Sequence, residues 1–385
     1  VMAIHFRREE FEPRVRRLCV ALDAQGLDGL LLFKQESMYY LTGYDTFGFC
    51  FFQCLYFGAD GRKVLMTRAP DLRQAQHTST LDDIRVWTDE AGASPALFLR
   101  NMLEELGCRN QHLGIELDSY GLTGRNWGAV QSALESFCTL TDASEVVTRL
   151  RMVKSQAELL FVEQAAKLAD DALDEAVSLA RPGENEGRIL AGMHSVMFSA
   201  GGDYPGNEFI IGSGRDALLC RYHSGRRVLD DKDQLTLEFA GVYRHYHACL
   251  MRTLIIGSPC RQQIVMHSVC REALAACREN VRPGNSMGTV FDAHTEVMDE
   301  GGFQAHRLNA CGYSLGATFT PTWMDYPMFF HGNSEPIAAG MVLFLHMILM
   351  NSEEGYAMTL GETIQVTEAG AVRLSRHGTD LIVRD

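Results

Sequence analysis

Glu238 sits in the middle of an apolar run, with Leu235, Leu237 and Phe239 around it. An ionised carboxylate is costly to bury alone, so this one either has a cationic partner, such as Arg252 or Arg221, or works as a base or nucleophile. His247 and Cys249 lie two residues apart. Side chains repeat every second residue along a strand, so the two share a face. Across a hairpin from Glu238 they offer an acid–base pair or a thiol–imidazole nucleophile. The competing reading is a hydrogen-bonded core histidine and an inert buried thiol. His346 lies in the apolar run MVLFLHMILM, where a neutral imidazole needs a hydrogen-bond partner. It is a candidate acid, base or substrate donor, or else a buried structural histidine. Glu238, Cys249 and His346, with His247, are also all zinc donors. A mononuclear zinc site is therefore a minor alternative, without the short ligand spacings of a metal motif.

The elements that must position these residues are legible from periodicity. Glu10 to Gln25 has apolar residues at helical spacing, followed by short β runs at Gly29 to Phe33 and Lys63 to Thr67. Ser155 with Glu158 three residues on reads as a capping box opening a helix to Leu179, which Pro182-Gly183 follows. Strands are expected near Asn207 to Ile211 and Gln234 to Gly257, helices over Gln263 to Cys277 and Ser286 to Asp299, and strands near Gly340 to Met350 and Ala357 to Thr367. Helices on one side of a curved antiparallel sheet give an α+β layout.

Several stretches carry a family likeness. The segment LTLEFAGVYRHYHACLMRTLIIG (Leu235 to Gly257) resembles a strand pair of the pita-bread superfamily, the M24 peptidases, prolidases and creatinases, whose run reads roughly IDFGAxYxGYxSDxTRT. Tyr243, Tyr246 and Arg252-Thr253 keep the pattern, while Glu238 and Cys249 stand where that family has its two metal-binding Asp residues. Further matches are GYSLG (Gly312 to Gly316), GMVLFLHM (Gly340 to Met347) and LGETIQVTEAG (Leu360 to Gly370). They put Tyr313, His346 and Gly361 at the family's remaining ligand positions, a His and two Glu. All five positions differ. LRMVKSQAELL resembles the lead-in to the catalytic domain, and SMYYLTGYDTFGF (Ser37 to Phe49) resembles the creatinase-type N-terminal domain. The resemblance therefore implies a smaller α/β N-terminal domain over 1–144 and a pita-bread catalytic domain over 145–385. In the Cys220 to Arg227 segment, Arg221 and Tyr222 fall where relatives have a catalytic His followed by Tyr. Arg221 is a candidate clamp for a substrate carboxylate, or an ordinary surface ion pair. Tyr222, Tyr313 and Phe47 are candidate substrate contacts. A homodimer is implied, with Phe47 and its neighbours in the N-terminal domain of one chain closing the other chain's site.

Two hard divalent ions need several carboxylate oxygens. One carboxylate, a thiol, a phenol, an imidazole and a glycine do not supply them. The pattern resembles the branch of ectoine hydrolases and creatinases, which hydrolyse without a dinuclear centre, and it implies no cofactor. The expected function is metal-independent hydrolysis of a non-peptide C–N bond (amidine, guanidine or amide) in a small zwitterionic compound. The alternatives are an Xaa-Pro dipeptidase or aminopeptidase, and a non-catalytic binding module.

Composition bounds these readings. A chain of 385 residues suits two domains, and 46% hydrophobic residues supply a core. A net charge of −14 argues against nucleic acid and anionic membranes as partners and suits a small cationic or zwitterionic substrate. The 11 cysteines are an odd number without paired spacing, the pattern of reduced thiols in a cytoplasmic protein. The charged stretch Val1 to Glu12 shows neither a secretory signal nor a membrane anchor.

Overall fold

The computed structural model describes residues 3–223 and 225–385. The first two residues of the Val1 to Glu12 stretch, and Ser224 inside the Cys220 to Arg227 segment, lie outside the described residues. The chain divides into two compact units, one ending at Arg151 and one running from Met152 to Asp385. This division falls later than the expected boundary at Ser144, because the helix Glu145–Met152 packs Val146 and Val147 into the core of the first unit.

The first unit is an α/β domain on a six-stranded mixed sheet. Its central strand, Gly29–Leu32, is buried along its whole length. It pairs antiparallel with Cys54–Gly58 and parallel with His112–Ile115.

The second unit is built on a nine-stranded sheet. Its centre is a long hairpin, Asp233–Tyr243 and Tyr246–Ile256, beside a second long pair, Val342–Asn351 and Tyr356–Thr367. The two-residue turn at Arg244 and His245 has φ of 51° and 67°, the left-handed pair that a tight hairpin requires. Helix Gln156–Leu179 begins in the capping box of Ser155 and Glu158. It lies close against the hairpin: a Cβ on Gly241 would overlap the Ala165 carbonyl. Helices Arg261–Asn280 and Met287–Glu300 cover the other long pair and bury Leu343, Leu345, Met347 and Leu349 in one core. Strand alternation then turns Phe344 and His346 to the opposite face. Among the described residues no helix is long and apolar enough to cross a membrane.

Candidate active site

Register gathers the site residues. Residues paired across antiparallel strands share a face. Glu238 pairs with Met251, Met251 with Gly361, and Gly361 with His346, which makes one row across four strands. In the next row Ala240 pairs with Cys249, and Thr363, Phe344 and Tyr313 follow in register. Thr363 is tied to Cys249 by two hydrogen bonds, of 2.7 and 2.8 Å. Glu238, Cys249, Tyr313, His346 and Gly361 therefore occupy one face of one sheet, opposite the helices.

Glu238 is 8% exposed. The Tyr313 hydroxyl donates to its Oε1 at 3.2 Å, and the Trp323 indole N–H donates to the Tyr313 oxygen at 2.8 Å. Burial pushes the Glu238 carboxyl up to about 7, against the opposing pull of the Tyr313 hydrogen bond and the Arg221 charge. Arg252 is not its partner: it is buried and donates to the carbonyls of Met251, Gly361 and Gly378. Glu362, the neighbour of Gly361, faces the other way into ion pairs with Arg278 and Arg373.

His247 is fully buried, and its ring is committed to local structure. Nε2 accepts the Gly206 N–H at 2.9 Å, so the proton resides on Nδ1, which faces the His245 carbonyl at 2.8 Å and the Thr318 hydroxyl at 3.2 Å. Burial lowers its pKa to about 4. The expected thiol–imidazole pair with Cys249 is accordingly not assembled, since neither ring nitrogen is left for the thiol. The Cys249 thiol is itself held well above its ordinary value by burial and by the Glu238 charge, so it is neutral.

His346 is buried, with its pKa lowered to about 4 by burial, and its Nδ1 has no hydrogen-bond partner among the described residues. Its ring forms a triangle with Tyr313 and Phe344, at centroid distances of 5.5 to 5.6 Å. Arg221 is exposed and, among the described residues, has no carboxylate partner. Its guanidinium reaches the Met324 sulfur at 3.9 Å, and its charge is felt by both Glu238 and His346. Tyr222 is 47% exposed beside it. Phe47 belongs to the first unit, where it is exposed. Trp323 and Phe344 did not figure among the sequence candidates. Alternation from His346 marks Phe344, whereas Trp323 lies between strands, where no periodicity marks it.

The geometry can be set beside known proteins. The description "Metallopeptidase family M24" fits residues 161–368, and "Creatinase/Prolidase N-terminal domain" fits 14–153. The chain belongs to metallopeptidase family M24. Its architecture is accordingly an N-terminal creatinase-type domain followed by an M24 pita-bread domain, and its class is hydrolase. The ectoine hydrolase of Halomonas elongata is 25% identical, over 100% of this chain and 99% of that one. The Xaa-Pro dipeptidase of Pyrococcus furiosus is 22% identical, over 96% and 100%. Among solved structures, an Xaa-Pro dipeptidase from Bacillus anthracis superposes with a TM-score of 0.84 at 20% identity, covering 97% of this chain and 99% of its own.

The metal centre in the family's name does not fit this M24 chain's donor set. Glu238 is the one carboxylate of the five, beside a thiol at Cys249, a phenol at Tyr313 and an imidazole at His346, where two hard divalent ions need several carboxylate oxygens. Gly361 has no side chain, and the Phe344 ring stands where one would project. Among the described residues no group of three or more His, Cys, Asp or Glu is arranged to hold an ion, and Glu238, Cys249 and His346 are no exception.

Proposed function

We propose that this M24 hydrolase opens a non-peptide C–N bond in a small zwitterionic compound, an amidine being the best fit, with Glu238 as the working carboxylate and without a dinuclear metal centre. The observation that carries the reading is the buried Glu238 carboxylate, hydrogen-bonded among the described residues by the Tyr313 side chain and feeling the charge of Arg221. The likeness to the ectoine hydrolase of Halomonas elongata supports it.

An amidinium carbon is already an electrophile. Attack on it discharges a positive charge instead of creating an oxyanion, so the step has less need of a Lewis acid. With Glu238 ionised, the water oxygen bonds to the amidinium carbon while the carboxylate takes the water proton. The resulting intermediate is neutral. The C–N bond then breaks as Glu238 returns its proton to the departing nitrogen, which keeps the electron pair; the hydroxyl of the intermediate gives up its own proton as the carbonyl forms, and that proton ends on the amine, leaving an amide and an ammonium. The aromatic walls of Tyr313 and Phe344 suit a planar cation. Arg221, exposed and without a carboxylate partner among the described residues, suits a substrate carboxylate. His346, neutral at pH 7, is assigned to the substrate as donor or acceptor. His247 is assigned to positioning and Cys249 to lining the site. A homodimer and the substrate contacts of Tyr222 and Phe47 belong to the same reading.

The deciding experiment combines elemental analysis of the purified protein with mass-spectrometric assay of ectoine, creatine and an Xaa-Pro dipeptide, each with and without chelator. Chelator-resistant opening of the amidine, with a rate that rises through pH about 7, supports the proposal. Stoichiometric metal with chelator-sensitive dipeptide cleavage replaces it with dipeptidase activity.

A further inference from the structure

We infer that Trp323 is a positioning residue for Glu238, its indole N–H fixing the Tyr313 hydroxyl so that the phenol proton points at the carboxylate. The inference deepens the proposed function, because it concerns how the carboxylate assigned to chemistry is held.

The direction of the relay follows from donor inventory. An indole N–H only donates, so across 2.8 Å the Tyr313 oxygen must accept. That leaves the hydroxyl proton for Glu238 Oε1 at 3.2 Å. Accepting one hydrogen bond polarises the hydroxyl and strengthens the one it donates. Trp323 is itself held in place. It is 1% exposed, and its backbone N–H donates to Asn207 Oδ1 at 3.1 Å. Gly206 lies so close that a Cβ there would stand 2.7 Å from the Thr322 carbonyl carbon, and the Gly206 N–H is the donor that His247 accepts. His247 thus ties the 205–207 loop to the Tyr246–Ile256 strand, and Asn207 ties the same loop to the segment that carries the indole. The titratable and charged groups that Glu238 feels are Tyr313 from the Gly312–Ser314 strand, Cys249 from the Tyr246–Ile256 strand, and Cys220 and Arg221 from the segment before the hairpin. Of these, Tyr313 is the one hydrogen-bonded to it among the described residues, so orienting that hydroxyl stabilises the carboxylate beside the Arg221 charge.

The chain has three tryptophans, so an indole 15N–1H spectrum has three signals. Trp323→Phe assigns the relevant one, and Trp87 and Trp127 in the first unit serve as controls. The Trp323 signal is expected to follow pH with the Glu238 midpoint, to move upfield in Tyr313→Phe, and to lose its pH dependence in both Tyr313→Phe and Glu238→Gln. A Trp323 signal indifferent to Tyr313→Phe and Glu238→Gln overturns the inference. Where the proposed turnover is present, Trp323→Phe should move the acid limb of kcat/KM upward, by at most about one pH unit, the tenfold limit reached if the unoriented Tyr313 hydroxyl gives up its charge-assisted hydrogen bond to Glu238 altogether. A merely structural indole would lower the rate at every pH and leave the limb in place. If Trp323→Phe fails to fold, benzothienylalanine at position 323 keeps the shape without the N–H. The spectrum needs no substrate, so absence of amidine turnover sinks the proposed function and leaves the relay to be judged separately.

Discussion

The Phe344 ring fills the space that a side chain on Gly361 would need. A Cβ at 361 would lie 2.8 Å from the ring Cζ and 3.0 Å from the Leu345 carbonyl oxygen. The glycine and the ring are therefore a matched pair, packed at a position where the family resemblance implies a ligand carboxylate. Gly361→Glu should destabilise the protein by about 1–3 kcal/mol through overpacking and bring in no metal. Gly361→Glu combined with Phe344→Ala should recover part of the loss. Thermal unfolding and elemental analysis of the two variants check this, and stoichiometric metal in Gly361→Glu alone would sink it.

Glu238 should cost stability at the pH where it works. Its folded value of about 7 lies above its ordinary 4.5, so between those limits the folded state binds more protons and stability falls as pH rises. Glu238→Gln removes that dependence. The variant's advantage should be absent below pH about 4.5, grow toward pH 7, and level off above it at roughly 3 kcal/mol. Turnover should fall by about 10²–10⁴-fold in the same variant. Unfolding curves at pH 4 and pH 8 decide the first point, and equal differences at both would contradict it.

His247→Ala should strand the buried Gly206 N–H and remove one donor from the His245 carbonyl, which still accepts the Thr318 N–H. The expected loss is about 1–3 kcal/mol. Because the wild-type imidazole is neutral down to about pH 4, this loss should be the same at pH 6 and pH 8. A loss that vanished between those values would show a histidine that titrates there.

Cys249 should resist alkylation. A buried thiol whose pKa is raised presents almost no thiolate at pH 8. Labelling of the native protein with iodoacetamide, mapped by peptide mass spectrometry, should modify exposed Cys50 and spare Cys249 until the protein unfolds. Rapid labelling of native Cys249 would return the thiol to the list of nucleophiles.

Much of this molecule was legible before folding. Strand alternation placed His247 and Cys249 on one face, and the Ser155–Glu158 capping box marked the helix that the structure contains. The residue types at the five positions where the family resemblance implies ligands were equally legible, Glu238 being the one carboxylate among them. These features are local, or repeat with a period that the backbone imposes, so one dimension holds them.

What only the tertiary structure decided is which polar atoms meet. Tyr313 and Glu238 are 75 residues apart, and Gly206 and His247 are 41 apart. Trp323 lies in a connection with no period to announce it. The sequence left His247 and Cys249 as a possible catalytic couple. Packing engaged both ring nitrogens elsewhere and buried the thiol, because a buried polar atom takes the nearest partner that the fold supplies. The chain by itself determined that a carboxylate would stand on that sheet face; the fold decided that a phenol aimed by an indole would hold it.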